Sequence, residues 1–343
     1  MIPALRRSRR HRGPTGSFEA MTAYVTGGAG FLGSHLCDRL LAERNTVVAF
    51  ENFVTGSRGN LHDALSTGRC TLIETDGSEP LPLSKLPAAL RRPDLIMHFA
   101  SPASPVDYGR DPMATLRVNA FGAAHLCQLA TETSARIFLA STSESYGDPL
   151  EHPQAETYWG NVNPVGVRSC YDEAKRFAEA YVTSAVRALG IDGRVVRIFN
   201  TYGPRMQPGD GRVVPNFIMS ALRGEPLTVY GDGSQTRSFC YVEDLIDGIF
   251  RYAMADDLAG HVINIGNPTE FTIGELAAIV AETVGVPFRF EPRPLPPDDP
   301  TRRCPDISIA RARLKWEPRI DLRSGLEHTI AYFRDVLLAA SRA

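Results

Sequence analysis

The sequence predicts an α/β fold, with a Rossmann-type, doubly wound parallel sheet followed by a smaller C-terminal domain. Apolar, β-branched runs alternate with segments of helical periodicity over roughly the first two hundred residues, which is typical of parallel strands joined by helices. A glycine-rich loop separates the first run from the first helical segment. After Asn200 the pattern changes to turn signals, short strands and a proline-dense stretch.

The elements of the predicted sheet follow one another along the chain. Strands are predicted at residues 23–26, 46–50, 70–73, 95–100, 136–140 and 195–199, and helices at 31–44, 112–133 and 171–189. Each gap between strands is long enough for a right-handed crossover connection. Residues 241–255 and 261–266 are predicted to return to this sheet as a further helix and strand.

The composition is that of an ordinary soluble globular protein. Hydrophobic residues make up 43% of the 343 residues and charged residues 22%, with a formal net charge of -2, so nucleic acid is a poor candidate partner. No run approaches the about 20 apolar residues of a membrane span, and the first 20 residues lack the apolar core of a secretion signal. The six cysteines show no Cys-x-x-Cys spacing. We therefore expect a cytoplasmic protein with reduced thiols, no membrane contact and no metal site.

The glycine-rich loop indicates a bound dinucleotide. Gly27, Gly30 and Gly33 follow the first strand at Gly-x-x-Gly-x-x-Gly spacing and lead into an amphipathic helix. The first glycine permits a tight turn, the second lets the backbone approach a pyrophosphate, and the third lets helix and strand pack closely. Such a triplet also occurs in plain turns, but its position between the first strand and the first helix favours the cofactor loop.

Acidic residues at the ends of the next strands favour NAD over NADP. Glu51 closes the second strand, where a carboxylate can accept hydrogen bonds from the adenosine ribose and repel a 2′-phosphate. Arg58 lies nearby and could bind such a phosphate, although a solvated loop arginine is the commoner explanation. Asp76 follows the third strand and either contacts the adenine edge or caps a turn.

Tyr171 and Lys175 form a candidate catalytic pair. They lie four residues apart at the start of a predicted helix, so their side chains share one face. A free tyrosine has a pKa near ~10, and an adjacent cation favours the phenolate. Such a pair can take a proton from an alcohol while a nicotinamide accepts the hydride. The motif is common by chance, but here it follows a nucleotide loop and a strand that ends in the sequence STSE at 141–144.

Taken together, these motifs resemble the extended short-chain dehydrogenase/reductase superfamily that modifies nucleotide sugars, and within it the UDP-glucuronic acid decarboxylases, also called UDP-xylose synthases. The strings that carry the closer resemblance span most of the chain from residue 21 to about 306. They are ENFVTGSRGN, HFASPASPVDY, STSESYGDP, SCYDEAKRFAEA, RIFNTYGPRM, DGRVVPNFI, LTVYGDGSQTRSFCYVEDL and DDPTRRCPDI.

The resemblance implies a role for individual residues. Tyr171 is the base for the sugar 4-hydroxyl, and Lys175 lowers its pKa and holds the nicotinamide ribose. Thr142 hydrogen-bonds the same hydroxyl, while Glu144 and Arg237 serve decarboxylation and protonation at C5. The implied NAD-binding residues are Gly27, Gly30, Phe31, Leu32, Gly33, Glu51, Asn52, Thr55, Gly56, Asp76, Ala100, Tyr171 and Lys175. The implied substrate-binding residues are Tyr108, Ser143, Asn200, Tyr230, Arg237 and Arg303.

The implied reaction releases carbon dioxide from UDP-glucuronate and forms UDP-xylose. A ketone at C4 lies β to the C6 carboxylate, so the electrons left by carbon dioxide flow into an enolate without a metal. The hydride is returned to C4, so NAD is regenerated in each turnover and acts as a retained prosthetic group.

Three alternatives stay open. A 4,6-dehydratase of this superfamily usually has aspartate where this chain has Ser143, which disfavours dehydration. A UDP-glucuronate 4-epimerase, the runner-up, usually lacks the glutamate found at Glu144. A non-catalytic NAD-sensing or scaffold protein would typically have lost Tyr171 or Lys175. The chain also departs from the decarboxylase pattern at Ser145, where valine is commoner, and at Glu51, where aspartate is commoner.

The sequence also predicts domain boundaries and an oligomeric state. We expect a disordered basic tail at 1–20, either a leader or an upstream extension before a native start at Met21. An NAD-binding Rossmann domain at 21–201 follows, with 238–266 packing back onto it. Residues 202–343 are expected to form mainly the UDP-sugar domain. The family resemblance implies a homodimer formed through the helices at 112–133 and 171–189.

Overall fold

The structure is a computed structural model that describes residues 20–295, 300 and 302–341. The strands are β1 (Thr22–Thr26), β2 (Thr46–Glu51), β3 (Cys70–Glu74), β4 (Leu95–His98), β5 (Arg136–Thr142), β6 (Gly193–Ile198), β7 (Thr201–Tyr202), β8 (Leu227–Tyr230), β9 (Thr236–Ser238), β10 (Cys240–Tyr241), β11 (Val262–Ile265), β12 (Glu270–Thr272), β13 (Phe290–Arg293) and β14 (Arg302–Arg303). The helices are α1 (Phe31–Ala42), α2 (His62–Ser66), α3 (Pro105–Arg110), α4 (Pro112–Thr133), α5 (Ser169–Leu189), α6 (Val213–Arg223), α7 (Val242–Met254), α8 (Ile273–Val284) and α9 (Leu322–Ala340). Of the predicted basic tail at 1–20, residues 1–19 lie outside the part of the chain that the structure describes.

Seven parallel strands form the central sheet, in the order β3-β2-β1-β4-β5-β6-β11. The strand order reverses direction between β1 and β4, which is the doubly wound arrangement that the alternating pattern predicts. The Rossmann-type fold class is therefore confirmed. The segment predicted to return to the sheet supplies its last strand, β11, which pairs with β6.

Helices cover both faces of this sheet. On one face α4 and α5 pack against the strands through apolar residues such as Leu126, Ala178 and Val182. On the other face α1 and α7 contribute Leu36 and Leu245 to a larger apolar cluster. Because both faces are covered, the strands are nearly continuously buried and read in the sequence as apolar runs rather than as alternating ones.

Several predicted boundaries differ by about two residues. The first helix ends at Ala42 instead of residue 44, because Arg44 adopts a left-handed backbone with φ of 63° as the chain turns toward β2. The fifth strand extends to Thr142, two residues beyond its predicted end. The helix that carries Tyr171 begins at Ser169.

The chain after Asn200 contributes small sheets and helices beside the carboxyl ends of the large sheet. Strand β9 pairs with β12 and β14, and β8 pairs with β13. The β9–β14 pairing sets Arg237 directly opposite Arg303. Of the helices in the described part of the chain, none combines the length and the apolar character needed to cross a membrane.

Candidate active site

A cavity of about 740 Å³ lies where the strands of the large sheet end. Its walls come from the segments that follow β1, β2, β3, β4, β5 and β6, and from the region after Asn200. This is the edge at which doubly wound folds bind their ligands. Every site residue predicted from the sequence lines the cavity except Gly56.

Gly56 has a different place in the structure. A Cβ added to it would lie 2.8 Å from Oε2 of Glu51 and 3.0 Å from the backbone of Ala29. This glycine therefore leaves room for the Glu51 side chain and for the glycine loop. Gly56 is not part of the cavity lining, and its predicted contact with the cofactor stays a prediction.

The glycine loop has the shape of an anion cradle. Gly27 has a φ of 72°, and a Cβ on it would lie 2.8 Å from the backbone of Phe99 and Ala100. A Cβ on Gly33 would lie 2.0 Å from the carbonyl oxygen of Gly27, so only glycine lets α1 start this close to the loop. No side chain caps the first turn of α1, whose residues Phe31, Leu32 and Gly33 line the cavity. The exposed N–H groups and the positive end of the helix dipole suit a pyrophosphate.

Glu51 ties the end of β2 to the glycine loop. Its Oε1 accepts hydrogen bonds from the backbone N–H groups of Asn52 and Phe53, both at 3.0 Å, and its Oε2 accepts one from Ala29 at 3.1 Å. The side chain is buried but lines the cavity. A contact with the adenosine ribose stays a prediction.

Asp76 and Arg58, the other two polar residues considered for the adenosine end of the cofactor, have different surroundings. Asp76 lines the cavity and also accepts a hydrogen bond from the N–H of Ser78 at 2.8 Å, so it caps a turn, as one of the two sequence interpretations expects. Arg58 is exposed and its guanidinium lies 5.5 Å from the ring centroid of Phe53.

Tyr171 and Lys175 lie side by side in the wall formed by α5. Both are nearly buried, and Nζ of Lys175 donates a hydrogen bond to the carbonyl oxygen of Ala140 at 2.9 Å. The ring of Tyr108 stacks on that of Tyr171, with centroids 5.1 Å apart and an interplanar angle of 8°. Thr142 ends β5 beside them, where its hydroxyl accepts the N–H of Glu144 at 3.2 Å.

The electrostatics of this pair differ from the sequence-based expectation. Burial raises the pKa of Tyr171, the Glu144 carboxylate raises it further, and the Thr142 hydroxyl opposes the rise. Nζ of Lys175 donates to the carbonyl oxygen of Ala140 and lies 5.8 Å from the Tyr171 ring centroid. Burial also lowers the pKa of Lys175 to about 7. The predicted lowering of the Tyr171 pKa by Lys175 stays a prediction.

Glu144 is held between two guanidinium groups. Nη2 of Arg168 donates to its Oε2 at 2.7 Å, Nη2 of Arg303 donates to the same oxygen at 3.0 Å, and Nη1 of Arg303 donates to Oε1. Burial alone would raise the pKa of Glu144, but Arg303 and Arg168 reverse this effect and hold it at about 2. Glu144 is thus ionised at neutral pH.

This cluster contains contacts that the sequence does not reveal. Arg303 is predicted to hold the UDP group, yet here its guanidinium is paired with Glu144, from 159 positions away along the chain. Arg168 is absent from the predicted site. It lies three residues before Tyr171, just before α5 begins, and that spacing is a signal that could have identified it.

The other predicted substrate residues lie around the same cavity. Arg237 is buried, and its Nη2 donates to the carbonyl oxygen of Pro300 at 2.6 Å. Ser143 is buried behind Thr142, whereas Tyr230 is 41% exposed at the rim. Asn200 follows β6, and its carbonyl oxygen accepts the N–H of Cys240. The structure thus gathers these side chains on one cavity, and their binding roles stay predictions.

Comparison with known proteins gives consistent matches. Residues 23–266 match the model of the NAD dependent epimerase/dehydratase family. UDP-glucuronic acid decarboxylase 2 of Arabidopsis thaliana is 49% identical over 316 residues, which cover 92% of this chain and 69% of that protein. UDP-glucuronic acid decarboxylase 1 of Xenopus tropicalis is 46% identical over 317 residues, which cover 91% of this chain and 72% of that protein.

Solved structures share the fold at lower identity. The crystal structure of UDP-glucuronic acid 4-epimerase from Bacillus cereus, in complex with UDP-glucuronic acid and NAD, is 28% identical with a TM-score of 0.84. The UDP-glucose 4-epimerase of Thermotoga maritima is 29% identical with a TM-score of 0.84. Each match covers 92% of this chain and 100% of the other.

Proposed function

The chain belongs to the NAD dependent epimerase/dehydratase family and, within it, to the UDP-glucuronic acid decarboxylases, and we propose that it converts UDP-glucuronate to UDP-xylose and carbon dioxide with NAD as its cofactor. The observation that carries this proposal is the ionised Glu144, held by two arginines in the same cavity as Tyr171 and Thr142. The identity of nearly one half to named decarboxylases over most of the chain supports it.

The residues of the glycine loop fit a dinucleotide. The uncapped first turn of α1 and the close approach that Gly27 and Gly33 permit suit its pyrophosphate. Glu51 and Asp76 are suited to the adenosine end, and Tyr171 and Lys175 to the nicotinamide ribose. NAD bound there supplies a hydride acceptor for C4 of the sugar and returns the hydride later, so it is not consumed.

Tyr171 and Thr142 handle the proton of the sugar 4-hydroxyl. Tyr171 accepts the proton as general base while Thr142 hydrogen-bonds the same oxygen. The ketone that results at C4 is β to the C6 carboxylate. The same two side chains then hydrogen-bond the C4 oxygen as negative charge develops on it.

Glu144 and Arg237, which line the same cavity, are assigned to the decarboxylation and the protonation at C5. The C5–C6 bond breaks, carbon dioxide leaves, and the electron pair moves through C5 to the C4 oxygen as an enolate. C5 then takes one proton from solvent, and Tyr171 returns its proton to the C4 oxygen when C4 is reduced again. Because Glu144 is ionised, it cannot supply a stored proton and instead accepts a hydrogen bond from the donor that protonates C5.

The UDP group is proposed to lie against the region after Asn200. Asn200, Tyr230 and Arg237 are suited to it, and residues 202–343 accordingly form mainly the UDP-sugar domain beside the NAD-binding domain at 21–201. Arg303 is assigned here chiefly to Glu144, since its guanidinium makes two contacts with that carboxylate. Arg168, which reaches the same carboxylate, supplies positive charge where a uronate carboxylate must be accommodated.

The second candidate is UDP-glucuronate 4-epimerase, which the likeness to the Bacillus cereus epimerase favours. An epimerase forms the same ketone but retains the C6 carboxylate. Glu144 argues against it, because the epimerases of this superfamily usually lack a glutamate at this position.

The decisive experiment is product analysis. Purified protein incubated with UDP-glucuronate should release one carbon dioxide for each UDP-xylose formed. The products are identified by NMR and mass spectrometry. UDP-galacturonate formed without loss of mass would establish the epimerase instead. Bound NAD with no product from either sugar would support the non-catalytic alternative.

We further propose a homodimer in the cytoplasm. Large apolar side chains are exposed on the two helices expected to pair, with Met113 and Phe121 on α4 and Phe177 and Tyr181 on α5. These two helices pack against each other, and the four side chains are exposed on them. Six buried free cysteines suit a reducing compartment.

A further inference from the structure

A buried ionic network lies next to the active cavity, on the side of β5 and β6. Oε1 of Glu179 accepts hydrogen bonds from Oγ of Ser141 at 2.5 Å, from Oγ of Ser145 at 3.3 Å and from Nε of Arg197 at 2.9 Å. Its Oε2 accepts Nη2 of Arg197 at 2.7 Å. The guanidinium of Arg197 also lies 4.7 Å from the ring centroid of Tyr146.

Such a network is costly and contributes little to stability by itself. Removing two charges from water costs several kcal/mol per ion, so a buried pair often stabilises less than apolar residues of the same shape. Glu179 nonetheless receives four hydrogen bonds, one each from Ser141 and Ser145 and two from Arg197. Folding stability alone therefore does not account for the buried carboxylate of Glu179.

The position of Glu179 points to Lys175. The two residues are four apart on α5, so they lie on the same face of the helix, one turn from each other. The two side chains also contact consecutive residues of β5, since Lys175 donates to the carbonyl oxygen of Ala140 and Glu179 accepts from Ser141. Helix and strand thus hold the lysine and the carboxylate in register.

The charged groups around Lys175 indicate why Glu179 matters for the pKa of this lysine. Burial lowers the pKa of Lys175 to about 7, and Glu179 is the charge that opposes this effect. His98 approaches from β4, and burial followed by the Lys175 charge lowers its pKa to about 3, so it is neutral and supplies no anion. Arg197 faces Glu179 from β6, but it is not among the groups that shift the pKa of Lys175.

We propose that Glu179 is a positioning residue for Lys175: its buried carboxylate, fixed by Arg197 and Ser141, favours the protonated lysine with its Nζ on β5 at the cavity wall. The consequence for turnover rests on the proposed function, in which Lys175 holds the nicotinamide ribose. The charge state of Lys175 does not depend on which sugar is converted, so it can be tested separately from the proposed function.

The composition of the chain allows a direct test. It contains three lysines, Lys85, Lys175 and Lys315, so a protein labelled with 13C at lysine Cε gives three signals that can be titrated by NMR. The Lys175 signal is assigned by its loss in Lys175→Arg. In Glu179→Gln the midpoint of the Lys175 titration should fall by about 1 to 2 pH units, as expected for loss of a nearby buried charge.

Glu173→Gln is the matched control. It removes a carboxylate from the same helix, two residues from Lys175, but on a side chain that is 37% exposed and 3.7 Å from Arg176. Its Lys175 midpoint should stay within about 0.3 pH units of the unsubstituted protein, because solvent screens exposed charges. An unchanged midpoint in folded Glu179→Gln, or an equal fall in Glu173→Gln, would overturn the proposal.

A second variant covers the case in which Glu179→Gln does not fold because Arg197 is left unpaired. Glu179→Gln combined with Arg197→Gln removes both buried charges, and the Lys175 midpoint should still fall, because Glu179 is the charge that opposes the effect of burial on Lys175. Absence of a fall in this double variant would likewise refute the role of Glu179.

Turnover supplies an independent measurement. The alkaline limb of the pH profile should move down with the Lys175 midpoint, so kcat in Glu179→Gln should be about tenfold lower at pH 8 and close to that of the unsubstituted protein at pH values below both midpoints. If no sugar is converted at all, the proposed function fails while the NMR titration still decides the role of Glu179. A uniform loss of kcat at all pH values would indicate a merely structural role.

Discussion

Burial at Tyr171 has two opposite effects on the proposed reaction. It isolates the sugar 4-hydroxyl from water, but it also raises the pKa of the tyrosine that must accept the proton. The Thr142 hydroxyl and the Arg212 charge oppose this rise, and the Glu144 carboxylate adds to it. Proton transfer at neutral pH therefore depends on the charges and hydrogen bonds that act on this tyrosine.

The role of Tyr171 is tested by Tyr171→Phe. We expect the variant to fold and to bind NAD, because the ring keeps its stacking on Tyr108, but to lose at least ~100-fold in kcat, the lower end for removal of a general base. The measurements are turnover of UDP-glucuronate and titration with NAD. Near-normal turnover would exclude Tyr171 as the base.

Arg168→Gln tests the ionisation of Glu144. Loss of one of its two cations should raise the pKa of Glu144 from about 2 toward its ordinary value of 4.5. Because the folded pKa lies below the unfolded one, ionised Glu144 stabilises the fold above about pH 4.5, and this contribution is lost as the pH falls through about 2. The variant should be about 1–3 kcal/mol less stable at pH 7, with a smaller deficit at pH 3, in urea unfolding.

The control for this substitution is Arg311→Gln, which removes one member of a surface pair with Glu317 at 3.3 Å. Both partners are more than half exposed, so stability should change by no more than about 0.5 kcal/mol at either pH. A deficit for Arg168→Gln that does not depend on pH would contradict the assigned electrostatic role.

The sequence predicts the residues of the site better than their contacts. Tyr171 and Lys175 are found by spacing within one helix, and Glu144 through the family resemblance of the STSE string at 141–144. The partners of Glu144 are harder to find, since Arg303 comes from a two-residue strand that pairs with β9 far from β5 in the sequence. Local patterns carry no information about such a contact.

At the scale of elements, two segments carry most of the proposed chemistry. The end of β5 presents Thr142 and leads into Glu144, while Arg168 lies just before α5 and the first turns of α5 present Tyr171 and Lys175. The strand and the helix pack against each other, so their side chains are fixed without long loops. The strand order reverses between β1 and β4. The glycine loop between β1 and α1 lies on the β1 side of this point and completes the site opposite β5 and α5.

Gly33→Ala tests the glycine loop. The added Cβ would lie 2.0 Å from the carbonyl oxygen of Gly27, so the loop or α1 must move and the uncapped N–H groups lose their alignment. We expect NAD affinity to fall at least about tenfold by calorimetry, with stability lowered by about 1–3 kcal/mol. Gly59→Ala is the control, because its Cβ would only approach Oγ of Ser57 at 3.5 Å, and it should bind NAD normally. Equal affinities for the two variants would contradict the proposed cradle.

At the scale of the whole molecule, regular alternation is what makes the large sheet predictable. Buried strands and crossover helices leave long, repeated signals, and the predicted parallel sheet is confirmed. The small sheets after Asn200 consist of strands of two to four residues, which are too short to leave a periodic pattern. Their pairing depends on contacts between distant segments, so the sequence predicts a change of character there but no topology.

The proposed dimer can be tested through the exposed aromatic residues of α4 and α5. Phe121 is 55% exposed and Phe177 is 49% exposed, and a charge at either position would have to be desolvated if the helices pair with a second copy. We expect Phe121→Glu combined with Phe177→Glu to sediment as a monomer where the unsubstituted protein sediments as a dimer. Leu338→Glu on α9, at a position that is 54% exposed, is the matched control and should leave the dimer intact. A dimer that survives both substitutions on α4 and α5 would place the interface on another face of the molecule.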